Sequence, residues 1–207
     1  MTRGRATGSE RNPLPLPLIL ASGSPRRREL LSLLGYTFEV DPAGGPEEPY
    51  SGGDPGAYVR RLAEEKALEV AGRSQSTPTL VIGADTVVVL DGILLGKPAD
   101  TADAERMLGL LSGRTHQVFT GVAVVERPGL GTRSAFEVTD VTFKELPKER
   151  IRRYVMTGEP MDKAGAYGIQ GLGAVNIKRI SGCYFNVVGL PLGLLSDLLS
   201  EWGVLPF

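Results

Sequence analysis

The chain has 207 residues, of which 42% are hydrophobic and 23% charged, and its formal net charge at pH 7 is −1. This composition is that of an ordinary globular protein with a sizeable core, and the balanced charge argues against a dedicated nucleic-acid binder. Cys183 is the only cysteine, which excludes an intramolecular disulfide, and no apolar run is long enough to span a membrane. We therefore expect a cytoplasmic protein without a membrane or a stable nucleic-acid partner.

Residues 1–15 are rich in Arg, Gly, Ser and Pro, and they lack the apolar centre of a secretion signal. We interpret this segment as a disordered leader, with an Arg-rich transit peptide as the alternative. Residues 16–207 contain no internal repeat, low-complexity tract or clear linker, so we expect a single domain there.

Strand and helix signals alternate along residues 16–207, and this alternation predicts an α/β fold. The predicted strands are residues 16–20, 36–40, 79–90, 93–95, 116–125, 136–143, 174–180 and 185–188. The predicted helices are residues 25–34, 55–71, 101–111, 147–156 and 191–202. Asp54 and Asp100 are suitable N-caps for the second and third helices, and Asp91-Gly92 predicts a tight hairpin.

The segment LASGSPRRR joins the first predicted strand to the first predicted helix. Ser24 is a suitable N-cap, and a proline follows at the first helical position. Arg26, Arg27 and Arg28 then lie in the first turn, where the helix dipole disfavours cations unless an anion is bound. Free backbone N–H groups and guanidinium groups there could bind a phosphate-bearing ligand. A surface helix with solvated arginines is the alternative.

Asp85 interrupts an apolar, β-branched stretch that we predict to be a buried strand. A carboxylate in such a place is costly unless it is paired, hydrated or bound to a metal. The neighbouring Gly83 permits a close approach to the backbone, and Thr86 adds a hydroxyl. These features favour a metal ligand or a general base, and an aspartate hydrogen-bonded within a strand bulge is the alternative.

Five further polar side chains could take part in a binding site, although each has an ordinary explanation as well. Lys66 lies on the second predicted helix, and Lys97 lies in a tight Gly-Lys-Pro turn, where a phosphate contact or a solvated lysine is possible. Glu47 and Glu48 lie in a Gly/Pro-rich loop and could supply oxygen ligands to a hard cation or simply be solvated. Gln170, in a glycine-rich loop, could bond a base edge or only the loop backbone.

Other catalytic classes lack the necessary residues. His116 is the only histidine and begins a predicted strand, so a Ser-His-Asp triad with Ser24 is disfavoured. The sequence has no paired CxxC and no HExxH motif, which argues against zinc. It also has no Walker-type lysine after a glycine-rich loop, which argues against a P-loop kinase.

Seven segments together resemble the Maf family of nucleotide pyrophosphatases, over a stretch from about residue 16 to residue 199. In chain order they are LASGSPRRRELL, YVRRLAEEKA, VIGADTVV, LGKP, MLGLLSGRTHQVFTGVAV, EPMDKAGAYGIQGLG and NVVGLPL. The resemblance implies an elongated α/β structure with a mixed sheet flanked by helices and two lobes around a cleft, related to the inosine-triphosphate pyrophosphatases. It also implies a homodimer that requires a divalent cation such as Mg²⁺ or Mn²⁺.

The resemblance implies a reaction and a set of site residues. The reaction is hydrolysis of a nucleoside triphosphate to the monophosphate and pyrophosphate. Asp85 would be the catalytic acid/base and a metal ligand, together with Glu48, although Glu47 lies beside it in a loosely matching loop. The residues implied to bind substrate or set specificity are Ser24, Arg26, Arg27, Lys66, Thr86, Lys97 and Gln170.

Within the family, the chain resembles the subgroup that prefers dTTP and UTP and possesses SPRR, ADT and YGIQG patterns, matched here by Arg26, Thr86 and Gln170. The subgroup that prefers 7-methyl-GTP instead has an aromatic residue, a glutamine and Ser-Glu-Gly at the corresponding places. An amide and a guanidinium can bond the edge of a uracil-type base, whereas an aromatic ring would stack on a methylated purine. The open alternatives are a 7-methyl-GTP pyrophosphatase and a septum-formation regulator that acts by binding.

Overall fold

A seven-stranded mixed sheet organises residues 16–73 and 78–205, the part of the chain described by the computed structural model. The strands are β1 (Leu18–Leu20), β2 (Phe38–Val40), β3 (Thr79–Leu90), β4 (Ile93–Leu95), β5 (Thr115–Arg127), β6 (Thr132–Phe143) and β7 (Ile177–Ser181). The helices are α1 (Pro25–Leu33), α2 (Pro55–Gly72), α3 (Thr101–Leu111), α4 (Lys148–Val155), α5 (Tyr184–Val188) and α6 (Leu192–Ser200). Short 3₁₀ turns span Glu159–Asp162, Ala164–Ala166 and Gly171–Asn176. The predicted leader, residues 1–15, lies outside the described residues.

Strand β3 is the centre of the sheet, whose order is β2-β1-β3-β5-β6-β7. β1 pairs in parallel with both β2 and β3, whereas β3, β5, β6 and β7 form successive antiparallel pairs. The end of β3 folds back onto β4 through the predicted hairpin, in which Asp91 and Gly92 both have positive φ, of 49° and 79°. Positive φ at both central residues is the backbone that such two-residue turns require.

Most predicted elements are confirmed, but the strand predicted at residues 185–188 is wrong, because the segment forms helix α5. Its aromatic and β-branched residues favour a strand locally. The helix instead buries Asn186, whose side-chain amide donates to the carbonyl of Val118 and the hydroxyl of Thr139, both at 2.9 Å. In addition, residues 174–176 belong to a 3₁₀ turn, and β7 begins only at Ile177.

Helix α2 lies close against the sheet because two glycines leave space for its backbone. An added Cβ at Gly83 would lie 2.1 Å from the carbonyl oxygen of Ala63, and one at Gly121 would lie 2.2 Å from that of Val59. The close approach that Gly83 was predicted to permit is therefore that of α2. It brings the middle of this helix against Asp85.

We expect Gly83→Ala to destabilise the fold by about 1–3 kcal/mol, because the new methyl group would displace the α2 backbone rather than a flexible side chain. Urea unfolding of the variant and the parent protein measures this loss. Gly109→Ala in α3 is the matched control, since nothing lies within 4 Å of its added Cβ, and it should gain up to about 1 kcal/mol. Equal stability of Gly83→Ala and the parent protein would contradict the close packing.

On the side of the sheet opposite α2, the core forms two lobes. One apolar cluster joins α1 and α6 to β1 and the first half of β3, and another joins α3 and α4 to β4 and the second half of β3. The predicted mixed α/β fold with two lobes around a cleft is thus confirmed. No helix within residues 16–73 and 78–205 has the length and apolar character needed to cross a membrane.

Candidate active site

A cleft of about 640 Å³ opens between the two lobes, where segments distant in sequence converge. Its walls come from the start of α1, the middle of α2 and β3, the loop after β4, and the glycine-rich loop after α4. Nearly all the predicted site residues line it, namely Ser24, Arg26, Arg27, Lys66, Asp85, Thr86, Lys97 and Gln170.

At the centre of the cleft, one lysine ammonium lies between two carboxylates. The ammonium of Lys66 lies 2.5 Å from Oδ1 of Asp85 and 2.7 Å from Oε1 of Glu47. Asp85 is only 9% exposed, and this burial raises the pKa of its carboxyl, against the attraction of Lys66 and Arg27. A carboxylate with a raised pKa accepts a proton more readily than an ordinary aspartate, which suits a general base.

The acidic loop places Glu47 in the cleft and directs Glu48 away from it. The side chain of Glu48 is 80% exposed and pairs with Arg61 at 3.1 Å, whereas the hydrogen bond from Lys66 lowers the pKa of Glu47. Consecutive side chains of a non-helical segment project in different directions, so only one of the two can face Lys66. The structure therefore brings Glu47, not the predicted Glu48, beside Asp85.

This loop is held in place by Glu69 of α2. The carboxylate of Glu69 accepts hydrogen bonds from the backbone N–H groups of Gly44 and Gly45. These glycines lie three and two residues before Glu47. These two bonds, followed by that from Arg73, lower the pKa of Glu69 to about 2. The anchor explains how a loop rich in Gly and Pro keeps an acid aimed at the cleft.

Arg27 cross-links the segments that form the floor of the cleft. Its guanidinium donates to the carbonyls of Gly189 at 2.8 Å and Ala84 at 2.9 Å, and to the hydroxyls of Thr86 at 3.0 Å and Ser22 at 3.2 Å. Burial lowers the pKa of Arg27. Because a guanidinium has five N–H donors, this arrangement leaves one of them for a ligand.

A buried polar network continues beneath Arg27. The hydroxyl of Thr86 lies 3.0 Å from that of Thr120, which in turn donates to the backbone carbonyl of Asn186 at 3.0 Å. Thr120 and Asn186 have no exposed surface. Sequence reasoning missed both residues, although a threonine within the apolar run of β5 was a detectable signal.

The start of α1 presents both backbone donors and Arg26 to the cleft. Ser24 occupies the N-cap position, as predicted, but its hydroxyl makes no capping hydrogen bond, so it leaves the first-turn N–H groups unoccupied by that side chain. Arg26 reaches across to Asp162 at 3.1 Å, and Asp162 also binds Lys163 at 2.6 Å. Arg28 is exposed.

The opposite wall carries Lys97 and Gln170. The backbone N–H of Gly165 donates to the carbonyl of Gly96 at 3.0 Å, which ties the lysine's turn to the segment that leads into the glycine-rich loop. Lys97 is exposed and forms no ion pair with any residue that the structure describes. Its ammonium is thus available to an anionic ligand.

The histidine does not belong to the cleft. His116 is 2% exposed, its Nε2 lies 2.8 Å from the hydroxyl of Tyr167, and burial lowers the pKa of the imidazole to about 4. Ser24, by contrast, lines the cleft. Among the described residues, His116 does not line the cleft that Ser24 lines, so these two side chains do not form the triad that the sequence disfavoured.

Comparison with known sequences gives near-complete matches. A family model described as Maf-like protein matches residues 17–202. The dTTP/UTP pyrophosphatase of Pelotomaculum thermopropionicum is 53% identical over 186 residues, which cover 90% of this chain and 96% of that protein. The protein of the same name from Moorella thermoacetica is 53% identical over 187 residues, covering 90% and 95%.

Among solved structures, a HAM1 protein from Coxiella burnetii has a TM-score of 0.53 at 18% identity, covering 90% of this chain and 99% of its own. This likeness concerns the fold alone. The family match extends across both lobes and every wall of the cleft, and the two relatives each share about half of their residues with this chain. The chain therefore belongs to the Maf family.

Proposed function

We propose that this protein hydrolyses dTTP and UTP to the corresponding monophosphate and pyrophosphate. The observation that carries the proposal is the juxtaposition of Asp85, Lys66 and Glu47 in a cleft that also holds the α1 N-terminus. The relatives from Pelotomaculum and Moorella, both named dTTP/UTP pyrophosphatase, support the same substrate class. Modified pyrimidine triphosphates of similar shape belong to this class as well.

A triphosphate is strongly anionic, and the cleft offers it several donors. The first turn of α1 supplies backbone N–H groups and the positive end of the helix dipole. Arg26, Lys66 and Lys97 line the cleft with positive charge, and Arg27 retains one N–H donor. Positioning and charge stabilisation of this kind supply most of the rate in phosphoryl transfer.

Asp85 is the general base of the proposed reaction. It accepts a proton from the attacking water while the bond between the α- and β-phosphates breaks, so that one water adds across the anhydride. Lys66 orients the Asp85 carboxylate through the 2.5 Å contact and keeps both carboxylates close despite their like charge. Burial supports the role, because it raises the pKa of this carboxyl.

The donor set fits a divalent cation. Within residues 16–73 and 78–205, no group of three or more acidic, histidine or cysteine side chains could hold a metal, but Mg²⁺ is usually held by one or two carboxylates together with substrate phosphates. Asp85 and Glu47 are the two carboxylates that would hold it. When bound, Mg²⁺ or Mn²⁺ would neutralise phosphate charge and lower the pKa of a coordinated water.

Gln170 and Arg26 support a preference for pyrimidines. Both line the cleft, and an amide and a guanidinium can together bond the carbonyl and N–H groups of a uracil-type base. Thr86, the third residue of the specificity pattern, contacts Arg27 and so contributes through that arginine. No aromatic residue replaces Arg26, which speaks against stacking on 7-methylguanine.

We expect the purified protein, with Mg²⁺ or Mn²⁺, to release pyrophosphate from dTTP and UTP with kcat/KM at least about tenfold above that for purine triphosphates. An excess of EDTA should abolish this release, and added metal should restore it. The assay is a panel of nucleoside triphosphates that includes 7-methyl-GTP. Faster hydrolysis of 7-methyl-GTP would assign the protein to the other subgroup, and no hydrolysis at all would favour a binding role.

We further propose that the protein acts in the cytoplasm as a homodimer. The resemblance to the family supports the dimer, and a single cysteine, Cys183, suits a reducing compartment.

A further inference from the structure

The glycine-rich loop of residues 168–173 carries Gln170 into the cleft, and one pair of side chains outside the cleft lining holds both ends of this loop. The pair consists of Tyr154, on α4, and Glu159, just after that helix. We propose that Tyr154 and Glu159 are positioning residues that set nucleotide specificity by holding Gln170 in place. This inference rests on the proposed function.

The pair contacts three backbone N–H groups of the loop. Tyr154 donates its hydroxyl proton to Oε1 of Glu159 at 2.9 Å, and the same hydroxyl accepts the N–H of Gly168 at 3.1 Å. Glu159 accepts the N–H of Gly173 at Oε1 and that of Leu172 at Oε2, both at 2.9 Å. The contacts thus lie on both sides of Gln170, two residues before it and two and three after it.

Two glycines of the loop, Gly171 and Gly173, leave space for this pair of side chains. Gly171 has a φ of +73°, and an added Cβ there would lie 2.8 Å from Oε2 of Glu159. An added Cβ at Gly173 would lie 2.5 Å from the hydroxyl of Tyr154 and 2.4 Å from the carbonyl oxygen of Gly168. The loop therefore wraps tightly around the two side chains.

The ionised form of Glu159 is the one that fits. Burial raises the pKa of its carboxyl, but the N–H groups of Gly173 and Leu172 and the Tyr154 hydroxyl outweigh burial, and the pKa is lowered overall. Both oxygens act only as acceptors. A glutamine would direct an N–H donor at another donor, which is costly where burial limits access to water.

The loop is separate from the elements that bear the reacting groups. Asp85 lies on β3 and Lys66 on α2, and neither contacts Tyr154 or Glu159. Loosening the loop should therefore move Gln170 relative to the nucleobase of the substrate. Proton transfer to Asp85 should stay unchanged. A disturbance that passed instead through Asp162 to Arg26 would also reach the phosphates common to all triphosphates, so it would raise KM for CTP as well as for UTP.

The test compares UTP with CTP, which differ at the base edge that an amide side chain reads. For Glu159→Gln we expect the ratio of kcat/KM for UTP to that for CTP to fall about tenfold, the loss expected for one charge-assisted hydrogen bond. The change should appear in KM, with kcat for UTP within about threefold of the parent value. Tyr154→Phe removes only the hydroxyl and should lower the same ratio.

Glu149→Gln is the matched control, because Glu149 is an exposed residue of α4 that pairs with Arg153, and it should keep the parent ratio. Melting temperatures identify any variant that fails to fold. If Glu159→Gln does not fold, the ratio measured with Tyr154→Phe tests the proposal. An unchanged ratio in the folded variants, or equal losses for UTP and CTP, would overturn this inference alone. A parent protein that hydrolyses neither UTP nor dTTP would overturn the proposed function and this inference together.

Discussion

Replacement of Asp85 with Asn should lower kcat for UTP by about 10²- to 10⁴-fold, the range that a positioned general base contributes. The substitution keeps the size of the side chain but removes its ability to accept a proton. Asp85 is buried, and burial raises the pKa of its carboxyl, so a neutral amide spares the cost of desolvating a charge. We therefore expect the melting temperature to stay within about 4 °C of the parent value.

Pyrophosphate release and thermal unfolding, measured on the same preparation, test this result. Asp140→Asn is a suitable control, since Asp140 lies exposed on β6 and outside the cleft lining. Near-normal turnover by the Asp85→Asn protein would refute the role of the carboxylate as base.

Replacement of Arg27 with Ala should reduce both stability and activity, which sets it apart from the other arginines of the α1 start. The change leaves the carbonyls of Gly189 and Ala84 without their guanidinium donor. Loss of a buried partner costs about 1–3 kcal/mol for each group left unpaired, and we expect a total of about 2–4 kcal/mol because water can reach part of the site. Turnover should fall at least about 100-fold as the floor of the cleft loosens.

Arg27→Lys should fail to rescue the protein, because a lysine ammonium cannot reproduce the planar fork that reaches all four acceptors. Arg28→Ala, in the same helical turn but exposed, is the matched control and should change stability by less than about 0.5 kcal/mol. Urea unfolding gives the stability and the pyrophosphate assay gives the turnover. If Arg27→Ala and Arg28→Ala unfold at the same urea concentration, Arg27 is a surface ligand and not a cross-link.

Two pairs of neighbouring residues show that local sequence patterns do not predict which side chain of a pair enters the site. Arg27 and Arg28 share a charge and a helical turn, yet one is tied to Gly189, a residue 162 positions away, and the other faces solvent. Glu47 and Glu48 share a loop, yet only Glu47 reaches Lys66. In each case the local sequence is equivalent, and the difference arises from which distant segment packs beside it.

Helix α5 shows that secondary structure can also depend on distant partners that the local sequence does not reveal. The aromatic and β-branched residues around Phe185 are typical of a strand, and the intrinsic preference of such a short segment is worth little energy. The buried hydrogen bonds of Asn186 to β5 and β6 outweigh this preference. Only the assembled sheet supplies those partners.

The sequence by itself determined the alternation of strands and helices, the helix caps at Asp54 and Asp100, and the presence of an acid in a buried strand. These features depend on hydrophobic periodicity and capping, which act over a few neighbouring residues. Only the tertiary structure decided that Lys66 joins Asp85 to Glu47, and that Tyr154 and Glu159 hold the loop of Gln170. Those contacts form between segments that are far apart in the chain, so they exist only once the lobes have packed around the cleft.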